Sequence, residues 1–245
     1  MELAVASPGA RVHGVWFSPA LYAPAVHPLL PDLSVDLLVE VRADGTCRCA
    51  SVAPAALASW PSRTPGSAYV GVRLAPGTGM PLRRFSDAEL SADAGALARC
   101  GTLEQMARWL EQRALQRTER NQMQDTWVQH AIVDLEAMPT AGVVPNVTEW
   151  AARLGVSTRT LHRGLIGELG LAPKHALQLQ RARLALQLLE RGAAPAAAAV
   201  QAGFADQPHL TRDLKLRFGK SPGTIVAKTD AWPKPSRRPR LAGAL

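Results

Sequence analysis

Two stretches of this chain, Val147–Leu165 and Gly203–Pro222, share one grammar: a short helix, a glycine turn, then a capped second helix. A pattern of that kind occurring twice leaves few folds open. In the later stretch Gly203 ends a short helix, Asp206 is placed to cap the next through its carboxylate, and Pro208 falls in the first turn, where a missing N–H costs little. Leu210, Leu214 and Phe218 then recur at helical spacing and define a buried stripe. Gln207, His209, Thr211, Arg212, Lys215 and Arg217 are left to make a donor-rich, basic front. In the earlier stretch Asn146 and Glu149 are spaced as a capping box for a helix that turns Trp150, Ala151 and Leu154 inward. Gly155 supplies the turn and Ser157 the next cap; Leu161 and Leu165 face in, while Arg159, His162 and Arg163 face out. One such helix reads equally well as an ordinary solvated surface helix. The repetition favours paired helix-turn-helix units.

Between the two units lies Lys174–Glu190, whose Leu177, Ala182, Leu184, Ala185, Leu188 and Leu189 predict a strong amphipathic helix. At about 1.5 Å per residue it spans roughly 25 Å. A rigid spacer of that length suits two helices entering successive major grooves, which repeat about every 34 Å along one face of a duplex.

The segment from about Asn146 to Ile225 resembles the DNA-binding domain of the AraC/XylS family of bacterial transcription regulators. The residues that carry the resemblance are A-x-x-L-G-V-S-x-R-x-L-x-R at Ala151–Arg163, L-G-L-A-P at Leu169–Pro173, Q-R-A-R-L-A at Gln180–Ala185, and G-F-A-D-Q…H-L-T-R…F-G…S-P at Gly203–Pro222. The resemblance implies that both second helices reach base edges, through Arg159, His162 and Arg163 in the first unit and Gln207, His209, Thr211 and Arg212 in the second. An Arg212 fork fits guanine and a Gln207 amide fits adenine. Ser157, Lys174, Arg181, Arg183, Lys215, Arg217 and Lys220 are the candidates for phosphate contact, which positions a protein without reading sequence. Three positions depart from the family pattern. Gly164 sits inside the first recognition helix, at a cost of about 1 kcal/mol relative to Ala. Ala198 stands where a larger aliphatic is usual, and Pro208 where a polar residue is common.

Charge follows the same division. The formal net charge of +8 is uneven: residues 1–90 are neutral, residues 91–139 carry −2 and residues 140–245 carry +10. Basic charge confined to the part that resembles a DNA binder is what phosphate neutralisation requires. The chain has no apolar run suited to spanning a bilayer, and its N-terminus lacks the basic and apolar regions of a secretory signal, so a cytoplasmic location is expected.

Residues 1–90 read as β-rich. Val35, Leu37, Val39 and Val41 alternate with Asp36, Leu38, Glu40 and Arg42; Asp44–Gly45 signals a tight turn, Thr46–Val52 is the returning strand, and Ala68–Leu74 is a further apolar run. A small antiparallel barrel or sandwich is expected. The run PDLSVDLLVEV…VGVRLAPGTG is similar to the amino-terminal sensory domain that precedes this kind of DNA-binding domain, which implies a cupin-like pocket and an unidentified small-molecule effector. Residues 91–125 turn helical. Thr102 and Gln105 fit a capping box, and Leu103, Met106, Leu110 and Leu115 form a stripe that suits packing within one chain as well as pairing with a second copy. The tail at residues 229–245 is Pro- and Arg-rich without periodicity, and is expected to be disordered.

Other chemistries find little support. Cys47 and Cys49 would share one strand face, and with Cys100 and His13 or His27 could build a thiol or metal sensor, but a C-x-C lacks a second ligand pair at known spacing and core packing is the expected role. No nucleophile elbow, Walker loop or Rossmann fingerprint is present, and a catalytic cupin would need more clustered histidines than His13 and His27. The sequence therefore describes a multidomain α+β protein: a β-rich front domain (1–90), a helical linker (91–125), an all-α DNA-binding domain (126–228) and a basic tail (229–245). The expected function is sequence-specific transcription regulation on double-stranded DNA, with no catalytic residue, metal or cofactor. RNA polymerase, an effector and a second copy of the chain are the further partners it admits. An effector-independent architectural binder and a cupin-like enzyme fused to a DNA-binding domain are the rival readings.

Overall fold

The computed structural model describes residues 3–5, 12–18, 31–52, 54–57, 64–76 and 126–226, with single positions and short runs between 96 and 113. Five strands, β1 (Leu3–Val5), β2 (Val12–Ser18), β3 (Val35–Val41), β4 (Cys47–Val52) and β5 (Ala68–Leu74), form one antiparallel sheet in the order β1-β2-β5-β3-β4. The expected hairpin is present: Asp44 accepts hydrogen bonds from the Thr46 amide at 2.8 Å and its hydroxyl at 2.7 Å, so β4 returns against β3 with Val39 opposite Cys49. The described strands make an open sheet with β1 and β4 as its edges, where a barrel or sandwich was expected.

Cross-strand register explains which side is apolar. Val35, Leu37 and Val39 stand opposite Leu74, Val72 and Val70, so all six side chains share one face, and Met106 and Leu110 are buried on it. The capping box is formed, with the Thr102 hydroxyl accepting from the Gln105 amide at 3.2 Å. Met106 and Leu110 thus spend the expected stripe inside the chain; Leu103 and Leu115 lie outside the described residues. Alternation predicts a solvated opposite face, yet Asp36 and Glu40 are each only 6% exposed. Arg73 meets Asp36 through two hydrogen bonds of 2.9 and 2.7 Å, and the Ser67 hydroxyl donates to Glu40 at 2.9 Å. Burial of these carboxylates is tolerated because each has a donor at hand.

The rear domain is built from α1 (Thr126–Ala141), α2 (Val147–Arg153), α3 (Thr158–Leu169), α4 (Pro173–Glu190), α5 (Pro195–Gln201), α6 (Gln207–Phe218) and α7 (Pro222–Val226). The spacer α4 is its axis, burying Leu177, Leu179, Leu184 and Leu189 among others in a single cluster shared with α1, α3, α5 and α6. Asp134 of α1 pins the first unit by accepting from the Trp150 indole at 2.8 Å and from Arg153 at 3.0 Å. The Ala-rich α5 buries Ala198 and Ala199 completely; small side chains there bring it close to its neighbours in place of a larger aliphatic.

The front sheet meets the rear domain at one end. Leu33, just before β3, is 1% exposed and belongs to the rear domain's cluster instead of the sheet's own. Asp32 lies beside Arg73 at 3.2 Å and close enough to Arg183 of α4 to feel its charge.

Candidate nucleic-acid interface

The two recognition helices are matched in detail. α3 and α6 are each 12 residues long, begin at a side-chain cap and end at a left-handed glycine, Gly170 and Gly219. Ser157 accepts from the Thr160 amide at 3.0 Å, and Asp206 from the His209 amide at 2.6 Å. Each satisfies one of the amides that a helix start leaves orphaned. The turn before each cap passes through a glycine at positive φ, Gly155 at 67° and Gly203 at 81°, a conformation that a side chain would strain. Leu161, Leu165 and Leu169 occupy the inner face of α3; Leu210, Leu214 and Phe218 do so in α6.

Superposing the caps aligns the outer faces as well. Arg159, Arg163 and Ile166 run along α3 at helical spacing, and Pro208, Arg212 and Lys215 take the equivalent places along α6. All six are exposed. Among the described residues none of Arg159, Arg163, Arg212 and Lys215 is held in an ion pair, so their charge is presented outward. His162 and Gln207 are exposed on the flanks. His209 is exposed too, its ring set edge-on against Phe204 with centroids 5.2 Å apart. Thr211 is half-buried and its hydroxyl donates back to the Gln207 carbonyl at 2.9 Å, leaving only its acceptor capacity for a ligand. Ile166 escaped the sequence reading although its spacing from Arg159 and Arg163 puts it on their face; an apolar group there suits a thymine methyl.

The phosphate candidates divide. Ser157, Lys174 and Lys215 are exposed, and Lys220 is half-buried. Two arginines depart from expectation because their guanidinium groups are committed inside the protein, and a third is half-buried. Arg217 is 3% exposed: it pairs with Asp213 at 2.8 Å and donates to the Gln178 side chain at 3.2 Å and to the Ala56 carbonyl of the front domain at 2.7 Å. Arg181 is half-buried; it donates to the Pro145 carbonyl at 3.3 Å while its Nε stands 3.6 Å from where a Gly203 side chain would begin. It bridges the entry to the first unit and the turn of the second. Arg183 is also half-buried; its charge is felt by the carboxyls of Asp32 and Glu136, which burial nevertheless raises above their ordinary values.

A family model for a helix-turn-helix domain matches residues 150–228. Residues 150–228 are an AraC-type helix-turn-helix domain. Solved structures similar to parts or most of the chain include a transcriptional regulator from Chromobacterium violaceum described as containing an AraC-type DNA-binding domain, 22% identical, covering 44% of this chain and 98% of its own with a TM-score of 0.39. A probable AraC family transcriptional regulator from Rhodopseudomonas palustris CGA009 is 24% identical over 43% of this chain and 98% of its own, with a TM-score of 0.36. ToxT from Vibrio cholerae O395 is 11% identical over 89% of this chain and 97% of its own, with a TM-score of 0.44. Among curated proteins there is no match.

Away from the AraC-type domain, Cys47, Cys49 and Cys100 are all free thiols packed against the sheet's apolar cluster. Burial and the neighbouring Cys100 push the Cys47 thiol up, away from the reactive thiolate. No group of three His, Cys, Asp or Glu able to hold a metal occurs among the described residues, and no described helix is long and apolar enough to cross a membrane. His27 and the tail at 229–245 lie outside the described residues.

Proposed function

We propose that the AraC-type domain reads two adjacent major grooves, with α3 in one and α6 in the next. Arg159, His162 and Arg163 are the base readers of the first unit, and Gln207, His209 and Arg212 those of the second, with Thr211 in a lesser part. The observation that carries this reading is the pairing itself: two capped helices of 12 residues present exposed arginines at equivalent outward positions and are held by one spacer helix. An ordinary surface helix has no reason to repeat its cap, its stop and its outward arginine. Lys174, Lys215, Lys220 and the Ser157 cap supply phosphate contacts. The second unit carries Pro208 where the first carries Arg159, so its readout has one donor fewer and rests more heavily on Arg212.

The front domain is proposed as the effector-responsive part of this regulator, acting at a promoter with RNA polymerase in the cytoplasm. Selection of binding sites from random duplexes with the full-length protein, at stated salt, followed by footprinting, tests the central claim. Two short motifs about ten base pairs apart on one face are expected. A single motif would restrict base reading to one unit. Absence of any motif, with tight and steeply salt-dependent binding, would replace the reading with an architectural one. Equal affinity for the selected site across a panel of cellular metabolites would remove the effector.

A further inference from the structure

We infer that the front sheet is a working part of the second reading unit: the end of the sheet that carries Leu33 and Ala56 sets the pose of α6, making Arg217 and Leu33 positioning residues for base recognition. This rests on the proposal that α6 reads bases. The loops before β3 and after β4 are joined to each other as one piece by the Ala55 amide, which donates to the Asp32 carbonyl at 3.1 Å. That piece enters the rear domain at two points. Leu33 completes the rear domain's apolar cluster, and the Ala56 carbonyl accepts from Arg217 on α6.

Arg217 lies five residues beyond Arg212 on the same helix, but on its inner side, next to Leu210 and Leu214. Its planar fork joins Asp213 of α6, Gln178 of the spacer α4 and the front domain's Ala56 carbonyl. A lysine has one ammonium and cannot reach three such acceptors in fixed geometry. The outward residues Arg212 and Lys215 stay exposed in this docked arrangement. Docking therefore holds α6 without covering its reading face, and belongs to the state that binds DNA.

The test uses the full-length protein, a duplex with both selected motifs and one with the second motif scrambled. Arg217→Lys is expected to weaken the two-motif duplex about tenfold, the scale of one lost base contact, and the scrambled duplex less than about twofold. The slope of log affinity against log salt stays unchanged, because Arg217 touches no phosphate. Leu33→Ala approaches the same contact from the front domain; it should reproduce the motif-selective loss and speed hydrogen exchange at the C-terminal end of α6 but not of α3. Cooperative thermal unfolding of both variants shows that they are folded. A uniform loss on both duplexes with a slope lower by about one would make Arg217 a phosphate contact and overturn the inference. Unchanged affinity in both variants would overturn it as well. Arg212→Ala, measured alongside, separates the two claims: if it too fails to act through the second motif, α6 is not a base reader, and the positioning role falls with that reading.

Discussion

Replacing Gly164 by Ala should destabilise the AraC-type domain, although a glycine in mid-helix is the residue that helix propensity marks for improvement. Propensity alone assigns the substitution a gain of about 1 kcal/mol. In the structure, however, a methyl group at Gly164 would drive into the Trp127 indole of α1, overlapping its Cη2 and standing 2.9 Å from its Cζ2, with Val128 Cγ2 at 3.0 Å. Forcing an extra methyl into packed surroundings costs about 1–3 kcal/mol. The overlap involves an aromatic ring packed against the core, so the upper part of that range applies and a net loss of about 1 kcal/mol follows. Gly167 on the same helix supplies the internal standard: nothing lies within 4 Å of its missing side chain, so Gly167→Ala should gain about 1 kcal/mol. Urea unfolding followed by far-ultraviolet circular dichroism measures both. A third variant makes the cause explicit: in a Trp127→Leu background the ring is gone and Gly164→Ala should turn stabilising, a sign reversal that only direct contact produces. If Gly164→Ala stabilises the otherwise unaltered protein as much as Gly167→Ala does, α1 does not pack on α3 as described.

Arg212→Ala should cost about 1–3 kcal/mol at the selected site and relax preference at a single base position, read by competition with every single-base variant of that site. Asp206→Ala removes the cap that accepts the His209 amide at 2.6 Å and should cost about 0.5–2 kcal/mol of stability, with Asn recovering most of it in the same urea assay. Burial raises the Glu136 carboxyl above its ordinary value of 4.5, so the folded chain keeps that proton where the unfolded chain has lost it. Its contribution to stability therefore falls as pH rises through that interval, and the deficit is complete above the folded value. Glu136→Gln should accordingly gain on the parent protein as pH rises above about 4.5, and a difference that does not change with pH would contradict the assignment.

The AraC-type domain was legible in the sequence to the level of single caps because its signals are local. Asn146, Ser157 and Asp206 act within three residues of themselves, as do the hydrogen bonds that confirm them. The β3–β4 hairpin was legible for the same reason. What escaped depends on partners far away in the chain. Arg217 follows Leu214 by three residues and Leu210 by seven, so the helical period already placed it inward. Its charge argued the other way, and Asp213 on the same helix, Gln178 on α4 and the Ala56 carbonyl, 161 residues distant, together resolve the conflict. Gly164 looked like a weakness because Trp127 belongs to another helix. Asp36 and Glu40 looked solvated because their partners, Arg73 and Ser67, arrive only when β5 pairs with β3.

These inward arginines change what the basic charge of the rear part means. Counting charge treats Arg181 and Arg217 as equal to Lys215, yet a guanidinium that already meets carbonyls or a carboxylate inside the protein releases no counterion from DNA. Arg183 is half-buried and its charge is felt by Asp32 and Glu136 where the two domains meet, whereas Lys215 is exposed on the outer face of α6 without an ion pair among the described residues. Each phosphate contact contributes about −0.9 to the slope of log affinity against log salt. Lys215→Gln should therefore flatten the slope by about one unit and weaken all duplexes alike. Arg183→Gln, which removes the same formal charge from a half-buried residue beside Asp32 and Glu136, should change the slope by well under one unit. Equal changes of slope in the two variants would mean that Arg183 leaves the junction to meet DNA, and that the junction opens when the duplex binds.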